Sequence, residues 1–309
     1  MSARIVITGA GGQLGGYLGS LAASQGRDVL ALTSSQWNIT DPAAADRIVE
    51  RGDVVINCAA YTDVDGAESD QEGAYAVNAA GPEHIAKACA RAGAALIHVS
   101  TDYVFGGGGP NANEPRPYEP SDQTAPQGVY ARSKLAGEQA VLAVLPEPSQ
   151  GIVVRTAWVY TGGTGKDFVA VMRRLAAGDG PINVVDDQTG SPTYVGDLAA
   201  ALLQVVDDRV PGPILHAANE GAVSRFEQAR AVFEECGADA SRVQPVSTAQ
   251  MPRPAPRPRY TALSGGQSAA AGLRPLRPWR PALVAALAAT QTNSGNPAGA
   301  DRRIPSTRD

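Results

Sequence analysis

The sequence predicts an α/β fold: a doubly wound parallel sheet with helices on both faces, joined to a smaller C-terminal α/β lobe. Short apolar runs rich in β-branched residues alternate with helical patterns along the chain. A glycine-rich turn follows the first run, and small or polar residues follow several later ones, as expected at the carboxyl ends of parallel strands. With 309 residues, 43% of them hydrophobic, the chain can build one large α/β unit or two lobes.

The first predicted strand is Arg4–Thr8, and the glycine-rich turn Gly9–Gly15 follows it directly. A helix then ends near Gly26, and a second strand over residues 29–32 completes a βαβ unit. Glycines at this turn let a diphosphate approach the first N–H groups of the helix, where the helix dipole favours negative charge. The second strand ends in residues 33–35, without the acid that favours NADH or the arginine that favours NADPH, so both cofactors stay open.

The later elements continue the alternation. We predict a short helix from Asp41, strands over residues 53–60, 94–99 and 152–155, and helices over residues 72–91 and 130–144. Residues 1–155 and 186–222 are expected to form a dinucleotide-binding domain, and residues 156–185 and 223–290 a substrate-binding lobe. The polar stretch 291–309 is expected to be a disordered tail.

Tyr130 and Lys134 carry the clearest chemical signal. Their spacing puts both side chains on one face of a helix, one turn apart. A phenol has a pKa near ~10, and a nearby ammonium lowers it, so the pair can donate a proton to a reacting oxygen. Alone, such a pair is usually a surface coincidence. The hydroxyl-bearing end of the fourth strand, Ser100–Phe105, can place a substrate oxygen beside Tyr130, although such residues also serve simply in turns.

Two loop segments have alternative interpretations. Four consecutive glycines from Gly106 open a long loop that reaches Gln127, which favours a lid or a substrate-contacting loop. Residues 250–260 are proline-rich and basic, and they are either an extended surface segment or an arginine arm that reaches an anionic substrate.

Composition excludes several classes of function. The formal net charge is −5 and no long basic run occurs, which argues against nucleic acid as a partner. No secretory signal is found, and no run approaches the ~20 apolar residues of a membrane span, so we expect a cytoplasmic protein without a membrane partner. Cys58, Cys89 and Cys236 lack the spacing of a disulfide framework or a zinc site and are expected to be buried, inert thiols.

Five further stretches agree in order and context with one known family. The chain resembles the dTDP-4-dehydrorhamnose reductases of the extended short-chain dehydrogenase/reductase superfamily over roughly residues 4–290. The stretches are Cys58–Glu68, Ser100–Phe105, Val129–Glu138, Arg155–Tyr160 and Asp187–Thr193. The resemblance implies a Rossmann-type sheet and the reduction, by NADPH or NADH, of the C4 keto group of dTDP-4-dehydro-L-rhamnose to dTDP-L-rhamnose.

The resemblance also implies roles for individual residues. Thr101, Tyr130 and Lys134 match the catalytic set, in which Tyr130 is the general acid, Thr101 positions the oxygen and Lys134 assists. The positions that match cofactor contacts are Gly9, Gly11, Gly12, Gln13, Leu14, Gly15, Asn38, Ile39, Ala59, Ala60, Tyr61, Asn78, Tyr130 and Lys134. The positions that match substrate contacts are Thr62, Val64, Asp102, Tyr103, Trp158, Gln188 and Arg253, with Trp158 offering a flat face to a sugar or base.

The chain departs from the family pattern at some positions. Some members bind magnesium through an acid at the position of Tyr17, so we expect no metal here. Asp167 replaces the usual asparagine before Phe168, which puts one substrate contact in doubt. The alternatives are another sugar-nucleotide epimerase or dehydratase, or a non-catalytic reductase-like binding subunit. A monomer and a homodimer are equally compatible with the sequence.

Overall fold

The computed structural model describes residues 3–109, 115–163 and 165–294, and it is built of alternating strands and helices. The strands are β1 (Ile5–Thr8), β2 (Val29–Leu32), β3 (Val54–Asn57), β4 (Ala95–Thr101), β5 (Gly151–Thr156), β6 (Val159–Tyr160), β7 (Ile182–Val185), β8 (Thr189–Gly190), β9 (Thr193–Tyr194), β10 (Ile214–His216), β11 (Val223–Ser224) and β12 (Val243–Val246). The α-helices are α1 (Gln13–Ser24), α2 (Pro42–Ile48), α3 (Gly66–Ser69), α4 (Gln71–Tyr75), α5 (Gly81–Ala92), α6 (Gly128–Val144), α7 (Phe168–Ala176), α8 (Val195–Asp208), α9 (Arg225–Glu235), α10 (Gly266–Ala270) and α11 (Trp279–Ser294).

A six-stranded sheet forms the centre of the molecule. Its strand order is β10-β5-β4-β3-β1-β2, and every neighbouring pair is parallel. The chain passes from β1 outward to β2 on one side and returns to β3 on the other side. The direction of winding therefore reverses between β1 and β3, and the carboxyl ends of these two strands open the crevice where α/β sheets bind ligands.

Helices cover both faces of this sheet. Because side chains alternate along a strand, Ile5 and Ile7 of β1 point to one face and Val6 points to the other. Helices α1 and α8 pack on the first face, and α2, α5 and α6 pack on the second. The predicted fold class, a doubly wound α/β sheet, is confirmed.

A separate apolar cluster lies in the C-terminal part of the chain. Helices α7, α9 and α11 and the parallel pair β7–β12 enclose it, with Phe233 and Val232 fully buried at its centre. The assignment of residue ranges to two domains remains a prediction. Helix α11 continues to Ser294, so the disordered tail predicted from residue 291 begins too early, and residues 295–309 lie outside the described part of the chain.

Three other predictions need correction or comment. The helix predicted over residues 72–91 is interrupted by a π-helical turn, Ala76–Ala80, between α4 and α5. Both described ends of the loop predicted to be a lid are held by β-bridges, between Gly108 and Tyr260 and between residues 118 and 263. Residues 110–114 of this loop lie outside the described part of the chain. Of the three thiols expected to be buried, Cys89 is buried, Cys58 is half-buried and Cys236 is exposed, so the expectation is wrong for Cys236. None of the described helices has the length and apolar character required to cross a bilayer.

Candidate active site

The glycine turn after β1 is shaped by contacts that only glycine permits. Gly9 has a φ of +67°, and a Cβ there would lie 2.7 Å from the backbone nitrogen of Ala59, just after β3. A Cβ on Gly15 would lie 2.4 Å from the Gly9 carbonyl oxygen. Gly11, Gly12 and Gln13, by contrast, are exposed at the start of α1, and Gly12 provides no side-chain cap. The turn therefore presents an open helix N-terminus that suits a diphosphate.

The predicted contacts after β3 are held in place by Asn78. Its side chain accepts a hydrogen bond from the Tyr61 N–H (2.9 Å) and donates to the Tyr61 carbonyl (3.1 Å) and to Ser133 Oγ (3.0 Å). Asn78 is 1% exposed and lies in the π-helical turn. Asn78 thus connects the Tyr61 backbone to helix α6, and its contact with the cofactor remains a prediction.

The two predicted adenine-side positions differ in accessibility. Asn38 is exposed, and its side-chain oxygen accepts from the N–H and hydroxyl of Thr40. Ile39 is buried against the core, where a Cβ on Gly81 would lie 2.6 Å from its side chain. Leu14 packs into the cores on both sides of α1. Ile39 and Leu14 can therefore offer a cofactor mainly backbone groups and packing contacts, whereas Asn38 can also offer its side chain.

Thr101 and Asp102 lie where β4 ends, and both are buried. The Thr101 hydroxyl donates to Asp102 Oδ1 at 3.1 Å, and the Thr261 hydroxyl donates to Asp102 Oδ2 at 2.5 Å. Burial raises the pKa of Asp102 to about 6, against the lowering effect of these hydroxyls and of Arg225. Both carboxylate oxygens thus accept from hydroxyls, and Asp102 orients Thr101; its contact with substrate remains a prediction.

Tyr130 projects from the first turns of α6 beside Tyr103, with the two rings edge-to-face and their centroids 5.9 Å apart. Burial raises the pKa of Tyr130 above its ordinary value, and the nearby Thr101 hydroxyl acts in the opposite direction. The expected lowering of this pKa by Lys134 is wrong for the observed arrangement. A raised pKa keeps the phenol protonated at neutral pH, which is the form that an acid must have.

Lys134 is 2% exposed and lies under the site rather than in it. Its Nζ donates to the Val99 carbonyl at 2.8 Å, so the ammonium is directed to the β4 backbone. Burial lowers the pKa of Lys134 to about 8, while Glu138 and Cys58 raise it. An ammonium has three donors, and two of them remain for other acceptors.

A buried ion pair fixes helix α6 to the sheet below this site. Glu138, one turn after Lys134, is paired with Arg155 at 2.7 Å and accepts from the Ser100 hydroxyl at 2.5 Å. Both charged side chains are almost fully buried. Removing either partner would leave an uncompensated buried charge. The pair therefore holds α6, and with it Tyr130 and Lys134, in a fixed position against the sheet.

Trp158 differs most from its predicted role as an open aromatic face. The guanidinium of Arg225 lies 3.5 Å from the ring centroid, and Gly190 packs so closely that a Cβ there would lie 2.5 Å from the ring. Trp158 also has a φ of +47°, a conformation that costs energy for a bulky residue. Arg225 is not among the residues predicted from the sequence. Its only distinguishing feature in the local sequence is its position directly after Ser224, the residue that caps α9.

The remaining predicted substrate residues form a looser group. Thr62 is exposed and Val64 is half-buried in the loop after β3. Gln188 donates to Thr248 Oγ1 at 3.0 Å. Arg253 is largely exposed and lies 3.4 Å from Asp65 Oδ2.

A second arginine of the basic segment is placed more firmly. Arg257 is closer to the same carboxylate (2.9 Å) and far less exposed than Arg253. The basic segment therefore packs against the loop before α3, and Arg257 is the less exposed and more closely paired of its two arginines that contact Asp65.

The structure also bears on the metal and cofactor predictions. Among the described residues, no group of three or more His, Cys, Asp and Glu side chains is placed to hold a metal ion, and Tyr17 lies on the surface. Asp167 accepts a hydrogen bond from Gln13 Nε2 at 3.1 Å and caps α7, so it connects the glycine turn to the N-terminus of α7. The open turn at Gly11–Gln13 fits the diphosphate of a dinucleotide.

Comparisons with known proteins agree with this geometry. The family model described as RmlD substrate binding domain matches residues 3–292. A dTDP-4-dehydrorhamnose reductase of Mycobacterium tuberculosis is 73% identical over 308 residues, covering 100% of this chain and 99% of the relative. Another, of Mycolicibacterium smegmatis, is 62% identical and covers 94% of this chain and 86% of the relative.

Solved structures of similar proteins have the same fold. The dTDP-4-dehydrorhamnose reductase of Bacillus anthracis in complex with NADP is 35% identical, with a TM-score of 0.86 over 94% of this chain and 100% of that one. The corresponding protein of Clostridium acetobutylicum also gives 35% identity and a TM-score of 0.86, over 93% and 99% of the two chains. The resemblance found in the sequence is confirmed: the chain belongs to the RmlD substrate binding domain family, that of the dTDP-4-dehydrorhamnose reductases.

Proposed function

We propose that this protein reduces the C4 keto group of dTDP-4-dehydro-L-rhamnose to dTDP-L-rhamnose, with NADPH or NADH as the cofactor. One observation carries the proposal: the strand end that bears Thr101 meets the helix that bears Tyr130 at the same edge of the parallel sheet as the open glycine turn, in a chain 73% identical to a dTDP-4-dehydrorhamnose reductase. The NADP complex of the relative from Bacillus anthracis supports the choice of cofactor.

In the proposed mechanism the chain supplies a proton and the means of placing it. When bound, the nicotinamide cofactor would supply the hydride for C4, and the residues that fit it are those of the glycine turn and Ala59–Tyr61. Tyr130 donates its phenolic proton to the carbonyl oxygen as negative charge develops there. An alkoxide is a stronger base than a phenolate, so this transfer is favourable even from a phenol of raised pKa.

Thr101 and Lys134 assist Tyr130 in different ways. The Thr101 hydroxyl donates its hydrogen to Asp102 at 3.1 Å in the structure, and with substrate bound the same hydrogen would turn to the carbonyl oxygen and align it. Lys134 donates to the Val99 carbonyl, so its ammonium keeps a fixed position one turn of α6 after Tyr130. Its free N–H donors are available to a ribose hydroxyl.

The test is oxidation of NADPH or NADH by the purified protein with dTDP-4-dehydro-L-rhamnose, followed by identification of the sugar product. The GDP- and UDP-linked 4-keto sugars serve as controls for the nucleotide. Reduction of the dTDP substrate alone would support the proposal. Tightly bound NAD⁺ with epimerised product, or binding of the substrate without any turnover, would contradict it and favour an epimerase or a binding subunit, respectively.

We also propose a cytoplasmic location and a monomeric or homodimeric state for this protein. Both rest on the sequence, and size-exclusion chromatography with light scattering distinguishes the two states.

A further inference from the structure

Arg225 is a half-buried arginine that contacts aromatic rings and has no carboxylate partner in the described part of the chain. It is half-buried at the first position of α9, with its guanidinium 3.5 Å from the ring centroid of Trp158 and 4.8 Å from that of Phe168. Among the described residues, its side chain donates one hydrogen bond, a long contact with Gln228 Oε1 at 3.3 Å. Within the described residues it forms no salt bridge, although a guanidinium offers five N–H donors.

The surroundings of Arg225 do not favour a positive charge. The N-terminus of a helix carries partial positive charge, so a cation in the first turn of α9 is repelled rather than stabilised. The acid in that turn, Glu227, is engaged in the capping box with Ser224. Burial lowers the pKa of Arg225 to about 10, and the nearby guanidinium of Arg257 acts in the same direction.

Arg225 also faces the predicted substrate site. Asp102 and Tyr103 are the groups whose charges act on it most favourably, and Tyr103 is in ring contact with Tyr130. Asp102 is already engaged by the hydroxyls of Thr101 and Thr261, so it is not a free partner for the guanidinium. Arg257 approaches Tyr103 too, although its own charge is paired with Asp65.

We infer that Arg225 binds the diphosphate of the sugar-nucleotide substrate, an inference that rests on the proposed function. The diphosphate is the charged part of such a substrate, and the planar guanidinium fork matches its oxygens. Stacking on Trp158, whose own backbone has the left-handed conformation, fixes the plane of the fork in advance. Trp158 therefore supports the arginine that reads the substrate's charge.

A dinucleotide cofactor also contains a diphosphate, so the test must separate the two. Titration calorimetry with dTDP, dTMP and NADPH is carried out on the full-length wild type, Arg225→Gln and Arg225→Lys. Arg230→Gln is the matched control, because Arg230 is an exposed arginine on the same helix. We expect Arg225→Gln to weaken dTDP binding by about 10- to 100-fold, the loss of one or two charged hydrogen bonds.

The other measurements sharpen this expectation. Affinity for dTMP should fall less than that for dTDP in Arg225→Gln, NADPH affinity should stay within about twofold, and Arg225→Lys should be intermediate because it keeps the charge but loses the fork. Unchanged NADPH binding also shows that the variant is folded. Absence of dTDP binding in the wild type, equal dTDP affinity in wild type and Arg225→Gln, or a loss confined to NADPH would overturn the inference.

The titrations involve no turnover, so they separate this inference from the proposed function. A wild type that binds dTDP through Arg225 yet fails to reduce the keto sugar would support the inference and contradict the proposed function. A wild type that reduces the sugar, with unaltered dTDP affinity in Arg225→Gln, would contradict only the inference.

Discussion

Asp102→Asn is expected to stabilise the protein at neutral pH. The carboxyl of Asp102 is 2% exposed, and burial raises its pKa from 3.8 to about 6. A carboxyl whose pKa is raised on folding costs nothing well below its unfolded pKa; the cost grows as the pH rises from the unfolded to the folded pKa and is constant above it. The shift of roughly two pKa units corresponds to about 3 kcal/mol at pH 7.5, falling to about 0.5 kcal/mol at pH 4.

The asparagine variant can keep the local hydrogen bonds. The hydroxyls of Thr101 and Thr261 can each rotate to donate or accept, so an amide satisfies both without a buried charge. Turnover should nevertheless fall, because the amide group can donate to Thr101 and so change the direction of its hydroxyl. Stability is measured by urea unfolding at pH 7.5 and pH 4, with the exposed Asp186→Asn as the matched control.

The expected result is an unfolding free energy higher in Asp102→Asn by up to about 3 kcal/mol at pH 7.5, with the curves converging near pH 4. A variant no more stable than the wild type at pH 7.5 would refute the reasoning. So would a gain that is the same at both pH values, because it could not arise from ionisation of this carboxyl.

Three further predictions concern the cofactor side and the pH profile. Gly15→Ala should abolish NADPH binding in a fluorescence titration, because the new Cβ would lie 2.4 Å from the Gly9 carbonyl oxygen. The control is Gly11→Ala, whose Cβ would have its nearest neighbour at 3.8 Å, and this variant should be as stable as the wild type. Asn78→Ala should lower the free energy of unfolding by about 3 kcal/mol and weaken cofactor binding, since it leaves buried backbone groups unpaired; unchanged unfolding would contradict its clamping role. The pKa of Lys134 is about 8, so its positive charge is present below that pH and lost above it, and kcat/KM should fall as the pH rises through about 8. Lys134→Met should not show this fall in its pH profile. If the variant still shows it, another group is responsible for the pH dependence.

Local patterns in the sequence were enough to predict the nucleotide-binding half of the fold. The alternation of apolar strands and helices, together with the glycine turn, led to the sheet and its crevice because these signals are short-range and period-dependent. The helix predicted over residues 72–91 was too regular, because the π-helical turn at Ala76–Ala80 depends on Asn78 reaching Tyr61 and Ser133, which are distant in sequence.

The site could be predicted as a set of residue types but not as an electrostatic arrangement. Tyr130 lies near the strand end that bears Thr101, but its pKa is raised rather than lowered, because burial outweighs the effect of the neighbouring groups. Burial of this kind depends on the complete tertiary packing. The same is true of Arg225, whose stacking on Trp158 joins two segments with no shared motif.

Tyr130→Phe tests the central claim most directly. The assay is NADPH oxidation with dTDP-4-dehydro-L-rhamnose in the wild type and the variant, together with NADPH affinity and thermal unfolding as measures of an intact fold. Loss of the phenolic proton should lower kcat by about 10²-fold or more while cofactor affinity stays unchanged. A folded Tyr130→Phe protein that turns over at the wild-type rate would contradict the assignment of Tyr130 as the general acid.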